Sequence, residues 1–381
     1  MRKYQLNPRI IGMHCLKCGA KYPVGDYYYG CPACLEKGEN SAMTFDYQGD
    51  AAIDVTASGW KRYAAMLPYE NTVSLGEGNT PVIQLDKLAQ ELGVSALYAK
   101  NEFQNPTGSH KDRMNPFITA RAVQMGFDTV TCASSGNEAA SLAAYAAAEG
   151  LRCINVSTAS IPKHWKDASD AAGAELVLVP TSPDRLRYQR ENMEDQWYPA
   201  TNLLDVPTAS SAYGIQGYKT ISFELHDRFG NELPDYLLIP SCRGDLLYGI
   251  YEGFADLKRY GYIEKLPHLV ACEPNPRLEL VLEGHSHTEK FPGDTSKTSS
   301  IGGATTTYQA ELALRNTDGL AVSVSQEEAV ASVKEMGRFG LYLETSSALV
   351  YPCLKKLLAD GNIPHTASVL LVLTSNGYKN A

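Results

Sequence analysis

No stretch of this 381-residue chain approaches the length of a membrane-spanning helix, for which about 20 consecutive apolar residues are needed. The opening residues, "MRKYQLNPRIIGMHC", lack the apolar core of a secretory leader, so the expected location is the cytoplasm. Positive charge is also short. Thirty-four Lys and Arg stand against 43 Asp and Glu, a formal net charge of −9. That balance argues against a broadly basic nucleic-acid surface, and neither nucleic acid nor membrane is expected as a partner. Internal repeats and low-complexity linkers are missing, which removes solenoids and tethered arrays. Nine cysteines are too few for a disulfide scaffold in a chain this long. Five of them (Cys132, Cys153, Cys242, Cys272 and Cys353) are scattered, several within apolar runs, as in a reducing compartment.

The other four cysteines form a pattern. In "CLKCGAKYPVGDYYYGCPAC", Cys15 and Cys18 make one C-x-x-C and Cys31 and Cys34 a second. Two such turns can converge four sulfurs into a tetrahedral thiolate cage, a closed arrangement that suits structural rather than catalytic zinc. Tyr22, Tyr27, Tyr28 and Tyr29 between them read as strands of a small ribbon. A segment of about 40 residues cannot build a sufficient core alone, so a metal staple is expected. The alternatives are a vestigial site or a redox pair.

Beyond the ribbon the chain alternates. "ALYAK", "DTVTCAS", "RCINVST", "ELVLVP", "DYLLIPS", "HLVACEP" and "ASVLLVLTS" are short apolar runs rich in β-branched residues. Helical stretches such as "NEAASLAAYAAAEG", "PKHWKDASDAAG" and "LLYGIYEGFADLKRYG" lie between most of them. This predicts an α/β fold of open, mostly parallel sheets covered on both faces, with ligands beyond the strands' C-terminal ends. Residues 284–300, "GHSHTEKFPGDTSKTSS", show neither periodicity and read as a solvated mobile loop or a lid.

Lys111 stands out. It ends "NPTGSHK" just before a partly helical stretch, "MNPFITARAVQMG". A cation there opposes the helix macrodipole, so the position is poor for a structural lysine and better for an amine that acts as a nucleophile. Three loops accompany it. "SLGEGNTPV" (74–82) carries Thr80 among glycines that permit close backbone approach to a ligand. "SSGNEAA" begins with Ser134, Ser135 and Gly136, whose N–H groups can hold a carboxylate, and Asn137 adds a directional amide. "TSNGY" offers the neutral hydroxyls of Thr374 and Ser375 after the last strand. Each alone could be a turn or a cap. Together, at strand ends, they read as a cofactor site.

Taken in order, "SLGEGNTPV", "NPTGSHKDR", "SSGNEAAS", "GYKTISFEL" and "LTSNGY" resemble the successive motifs of threonine synthases and their relatives. These are pyridoxal-phosphate enzymes of fold type II, the tryptophan-synthase β-subunit-like family, and their members often carry a similar N-terminal cysteine ribbon. The resemblance implies two α/β domains with the cofactor between them. The expected division is a zinc ribbon at 1–45, a larger cofactor-binding domain from 46–113 and 207–381, and a smaller domain at 114–206. By resemblance Lys111 would carry the cofactor as a Schiff base, Asn137 would face the pyridoxal 3′-oxygen and Thr374 the pyridine nitrogen, with Ser375 beside it. Ser134, Ser135 and Gly136 would line the substrate carboxylate site, with Thr80 and His110 as further substrate contacts. The implied activity is elimination or replacement at the β or γ carbon of a small L-amino acid, by a homodimer. Rivals are a serine/threonine dehydratase, a cysteate- or cysteine-synthase-type β-replacing enzyme, and a catalytically silent homologue that binds the cofactor.

Two departures shape these expectations. The family's cofactor-phosphate loop is usually a Gly-Asn-Gly-Gly-Asn-like run, whereas here it is "PSCRGDLLYG". Gly244 remains, and Cys242, Arg243 and Asp245 are new. Helix-opening N–H groups could still hold a phosphate there. Arg243 could pair with that phosphate or with Asp245, and Cys242 could be a reactive thiol or a small space-filling residue. Threonine synthases also carry "N-S-x-N-P-x-R" before "G-x-K-T", and this chain has Ser211 and Gly214 near the asparagine and arginine positions. Without that arginine a phosphate dianion loses its bidentate partner, so O-phosphohomoserine is not the expected substrate. His110, where many relatives have Phe, could contact a substituent or cap its loop.

Overall fold

The computed structural model describes residues 3–193 and 197–380. The chain forms two compact units, each built from two separate segments. The first comprises Met1–Asn79 and Lys111–Thr220, the second Thr80–His110 and Ile221–Ala381. None of the described helices is long and apolar enough to cross a membrane.

The first unit begins with the ribbon, a three-stranded antiparallel sheet in the order Lys21–Tyr22, Ile10–Cys15, Met43–Tyr47. Of the four tyrosines expected in strands, only Tyr22 lies in one. Tyr27–Tyr29 follow Pro23 and Gly25 in irregular backbone and a turn. Their rings serve packing instead, with Tyr27 against Tyr22 and Tyr28 edge-on to Tyr198. The unit's second sheet is fully parallel, in the order Glu175–Val179, Arg152–Thr158, Thr129–Cys132, Trp197–Pro199. The alanine-rich helix Asn137–Glu149 follows Thr129–Cys132 directly and stops at Gly150, which takes the left-handed conformation at φ 81°. Glycine adopts that conformation without a Cβ penalty.

The second unit holds a six-stranded sheet in the order Leu320–Ser323, His268–Glu273, Tyr236–Pro240, Ser368–Val372, Ala96–Lys100, Val82–Gln84. All neighbours are parallel except the last pair. Val369, Leu371, Leu238, Val270 and Leu97 on this sheet are buried with Leu349, Leu354 and Leu357 from the C-terminal helical segments. Strands covered in this way read as unbroken apolar runs.

The 284–300 segment has neither helix nor strand before Ser299, but it is not merely solvated. Phe291 is buried and its carbonyl accepts from Asn275 Nδ2 at 2.9 Å. Thr298, also buried, donates to Gln326 Oε1 at 3.2 Å. These interior anchors pin the loop at two points, so its polar composition misrepresents its attachment.

Candidate functional site

In the first unit, Lys111 sits in the short 3₁₀ turn His110–Arg113, immediately before the helix Asn115–Met125. Its Nζ donates to the Tyr218 hydroxyl at 3.3 Å and lies 3.9 Å from Glu138 Oε2. The Tyr218 hydroxyl in turn donates to Met114 Sδ at 2.9 Å. The flanking residues fix the turn from beneath. Buried Asp112 accepts from Ser141 Oγ at 2.6 Å, and buried Arg113 donates to Thr220 Oγ1 at 2.7 Å. Gly217 explains why "GYKT" opens with a glycine. A Cβ there would collide with the Arg113 carbonyl oxygen, so only glycine lets the helix Ala212–Phe229 run this close to the lysine turn.

Ser134, Ser135 and Gly136 form the loop that enters the helix Asn137–Glu149, with Gly136 as its cap. The Gly136 N–H donates to Ser134 Oγ at 3.3 Å, and Ser135 Oγ lies 2.6 Å from Ser157 Oγ. Asn137 is buried at the first helical position. Two residues here were not anticipated from sequence. Glu138, with a side chain only 7% exposed, brings a carboxylate to the Lys111 amine. Arg185, from the helix Ser182–Asn192, donates to Ser135 Oγ at 3.2 Å. An acidic residue in a helix's first turn satisfies the macrodipole, so Glu138 had an ordinary explanation. Arg185 lies 50 positions from its partner, and no local spacing connects them.

In the second unit, Thr80 is buried and its hydroxyl donates to Glu102 Oε1 at 2.6 Å. Its carbonyl accepts from Lys100 Nζ, which also pairs with Glu224 at 2.6 Å. The His110 ring nitrogen Nδ1 lies 3.4 Å from the Thr374 carbonyl, and the His110 N–H donates to that same oxygen at 3.0 Å. Thr374 and Ser375 are both buried, and Ser375 bridges to Ser109. The structure thus brings together the ends of two motifs that lie 264 positions apart in the chain.

Cys242–Asp245 connects the strand Tyr236–Pro240 to the helix Asp245–Arg259. Gly244 is the helix cap at φ 77°, and a Cβ there would strike Ala310. This surviving glycine is therefore required twice, by its backbone conformation and by its neighbour. Asp245 accepts from Gln309 Nε2 at 2.5 Å, and the Arg243 carbonyl accepts from Thr307 Oγ1 at 2.6 Å. The Cys242 thiol donates to the Gly302 carbonyl at 2.9 Å and accepts from Arg277 Nη1 at 3.2 Å. Arg277, fully buried, also donates to the carbonyls of Ser241 and Gly303 and pairs with Glu273 at 2.9 Å. Burial pushes the Glu273 carboxyl up to about 7, against the opposing pull of Arg277. This buried pair organises the turn from below, and it too went unseen in the sequence.

The four ribbon sulfurs lie within 4.8 Å of one another. Cys15 and Cys34 are 3.6 Å apart at sulfur, and Cys18 and Cys31 are 3.7 Å apart. A tetrahedral site with zinc–sulfur bonds of about 2.3 Å has sulfur–sulfur edges of about 3.8 Å. Four thiols at this spacing fit a closed zinc site.

The family model described as pyridoxal-phosphate dependent enzyme matches residues 73–375. The threonine synthase of Methanocaldococcus jannaschii is 30% identical over 96% of this chain and 92% of its own length. That of a Bacillus species is 35% identical over 84% of this chain and 89% of its own. Among solved structures, the fungal L-serine ammonia-lyase from Rhizomucor miehei superimposes with a TM-score of 0.66 at 21% identity. That match covers 78% of this chain and 93% of the other.

Proposed function

The chain belongs to the family of pyridoxal-phosphate-dependent enzymes, and from that premise we propose that it eliminates or replaces a substituent on the β or γ carbon of a small L-amino acid. It is a fold type II lyase related to threonine synthases. The observation that carries the finer reading is the Lys111 amine, held at the edge of a buried turn by Tyr218 and Glu138.

When bound, pyridoxal phosphate supplies an electron sink for the bond that breaks at the substrate's α carbon. Lys111 Nζ is the tether and then the group that moves the α-proton. Glu138, beside that nitrogen, provides the counter-charge whenever the amine is protonated. Ser134, Ser135 and Gly136 take the substrate carboxylate through hydroxyls and helix-opening N–H groups. In the same reading Asn137, the Thr374 hydroxyl and the Cys242–Asp245 turn would hold the cofactor through its 3′-oxygen, ring nitrogen and phosphate. Helix-opening N–H groups at the start of the helix Asp245–Arg259, capped by Gly244, are donors that suit an anion. The four ribbon cysteines hold a structural zinc away from this chemistry.

O-Phosphohomoserine is a poor substrate in this reading. A Cβ on Gly214 would stand 2.8 Å from Ile118 Cδ1 and 3.3 Å from Met114 Cε, so apolar side chains enclose this position, which lies near the arginine of the threonine-synthase motif. Ser211 is occupied near the helix start, 3.5 Å from the Gly214 N–H. Borohydride treatment of the yellow holoprotein should fix a pyridoxyl group on Lys111 in a peptide map, and labelling elsewhere would defeat the assignment. Steady-state kinetics should show kcat/KM for O-phosphohomoserine below ~10⁴ M⁻¹s⁻¹, an ordinary enzyme's value. A higher figure restores threonine synthase activity.

A further inference from the structure

Arg185 stands at the carboxylate loop without any counterpart in the motifs that revealed that loop. Its helix is fixed at the start by a capping box between Thr181 and Asp184, and Asp184 is also engaged by Arg187 at 2.8 Å. Arg185 Nε donates back to the Ser182 carbonyl at 3.3 Å, while Nη1 reaches Ser135 Oγ at 3.2 Å. Ser135 Oγ is held from its other side by the fully buried Ser157, 2.6 Å away. The guanidinium is thus placed by three elements of one unit.

We propose that Arg185 reads the substrate's side chain by pairing with an anionic substituent on its β carbon, an inference that rests on the reading of Ser134–Gly136 as the α-carboxylate site. The N–H groups and hydroxyls of that loop already match one carboxylate without a formal charge. A guanidinium added there supplies a rigid fork suited to a second anion such as a carboxylate, sulfonate or phosphate. Its reach sets the position of that anion. Arg185 bonds to Ser135 itself, so the group it meets must lie close to the α-carboxylate, which suits a β substituent better than a longer γ-phosphate. The enclosed Gly214 leaves no room for a cationic side chain at that position, so a guanidinium here comes from the helix Ser182–Asn192 instead. The loop is also ordered in charge, with Arg185 at Ser135 and the Glu138 carboxylate three residues further on at the Lys111 amine.

The test uses the reconstituted full chain and reads dissociation constants from the change in its visible spectrum. The ligands are O-acetyl-L-serine, L-serine, O-phospho-L-serine, L-cysteate and O-phospho-L-homoserine. The two anionic β-substituted ligands should bind at least tenfold more tightly than O-acetyl-L-serine and L-serine, and O-phospho-L-homoserine should gain less. Arg185→Gln should abolish that preference, weakening the anionic ligands tenfold or more and the neutral ones far less. Arg185→Lys keeps the charge without the fork and should retain part of the preference, which provides a reading even where the Gln variant folds poorly. Equal affinity for neutral and anionic ligands in the wild type overturns the proposal. So does a uniform loss across all ligands in either variant, since a residue that merely braces the loop would give that result. A chain that takes up no pyridoxal phosphate and shows no visible band defeats the cofactor reading itself, a result distinct from both.

Discussion

Lys111 has one partner that can share a proton and one that can balance a charge, Tyr218 and Glu138. In the proposed reading the amine is both tether and proton carrier, and no other group in its turn could replace it. Lys111→Ala should lower kcat/KM by at least about a thousandfold. The side chain is partly exposed, so the melting temperature should change by only a few degrees. Normal turnover by the purified variant would remove the central assignment. Lys111 stood out as a candidate in the sequence because a cation before a helix is anomalous there. Glu273 was not, because a glutamate ending the run "HLVACE" carries no sign that Arg277 will meet it in the core. Its raised carboxyl has a consequence for stability. The folded carboxyl titrates near 7 and the free side chain near 4.5, so between these values the native state binds more protons than the unfolded one. Stability from this group is therefore fully present below about pH 4.5 and is lost as pH rises toward 7, an effect on the order of a few kcal/mol. Urea titrations from pH 5 to 8 should show a decline that flattens in Glu273→Gln. An identical slope in the variant would rule the group out as its source.

At the scale of elements, the seven apolar runs read as strands all form strands, and most are largely buried, although Glu175–Val179 is a partly exposed edge strand. In the two larger sheets three strands went unnoticed: Val82–Gln84, Trp197–Pro199 and Leu320–Ser323. Each is three or four residues long and lies at a sheet edge, where one neighbour is missing and no long apolar run is required. The close approach of the helix Ala212–Phe229 to the Lys111 turn was equally hidden, since a glycine in "GYKT" has no local signature of what it touches. The contact makes a prediction about that helix. Gly217→Ala places a methyl group against the Arg113 carbonyl, and neither backbone can yield without moving the turn. Overpacking of this kind costs about 1–3 kcal/mol, which should lower the melting temperature by several degrees despite alanine's better helix propensity. Pyridoxal phosphate affinity should fall as well, because the displaced segment carries Lys111. A variant at least as stable as the parent, with unchanged cofactor affinity, would show that the contact relaxes without cost.

Neither unit of the molecule is continuous in sequence. Motif order identifies a family, but it cannot show which distant segments cluster together, because that depends on contacts between residues more than a hundred positions apart. The ribbon illustrates this. Its cysteine spacing was readable, whereas its docking within the first unit was not. Asp26 pairs with Arg121 at 2.7 Å, Asn40 Nδ2 donates to the Val206 carbonyl, and Phe45 stacks edge-on against Tyr213 at 4.9 Å between ring centroids. Within the ribbon itself, strands of six, two and five residues provide little independent core. The metal should therefore supply most of its internal stability, as it does in small zinc domains where binding and folding are coupled. Metal analysis should find one zinc per chain. Chelation, or Cys34→Ser, should raise amide exchange across Ile10–Tyr47 first. The effect should then reach the helix Asn115–Met125 through Arg121, lowering the first unit's melting temperature and not only loosening the ribbon. Zinc-free preparations with unaltered exchange in both regions would show that the four thiols are not a metal site, and that side-chain docking alone holds the ribbon in place.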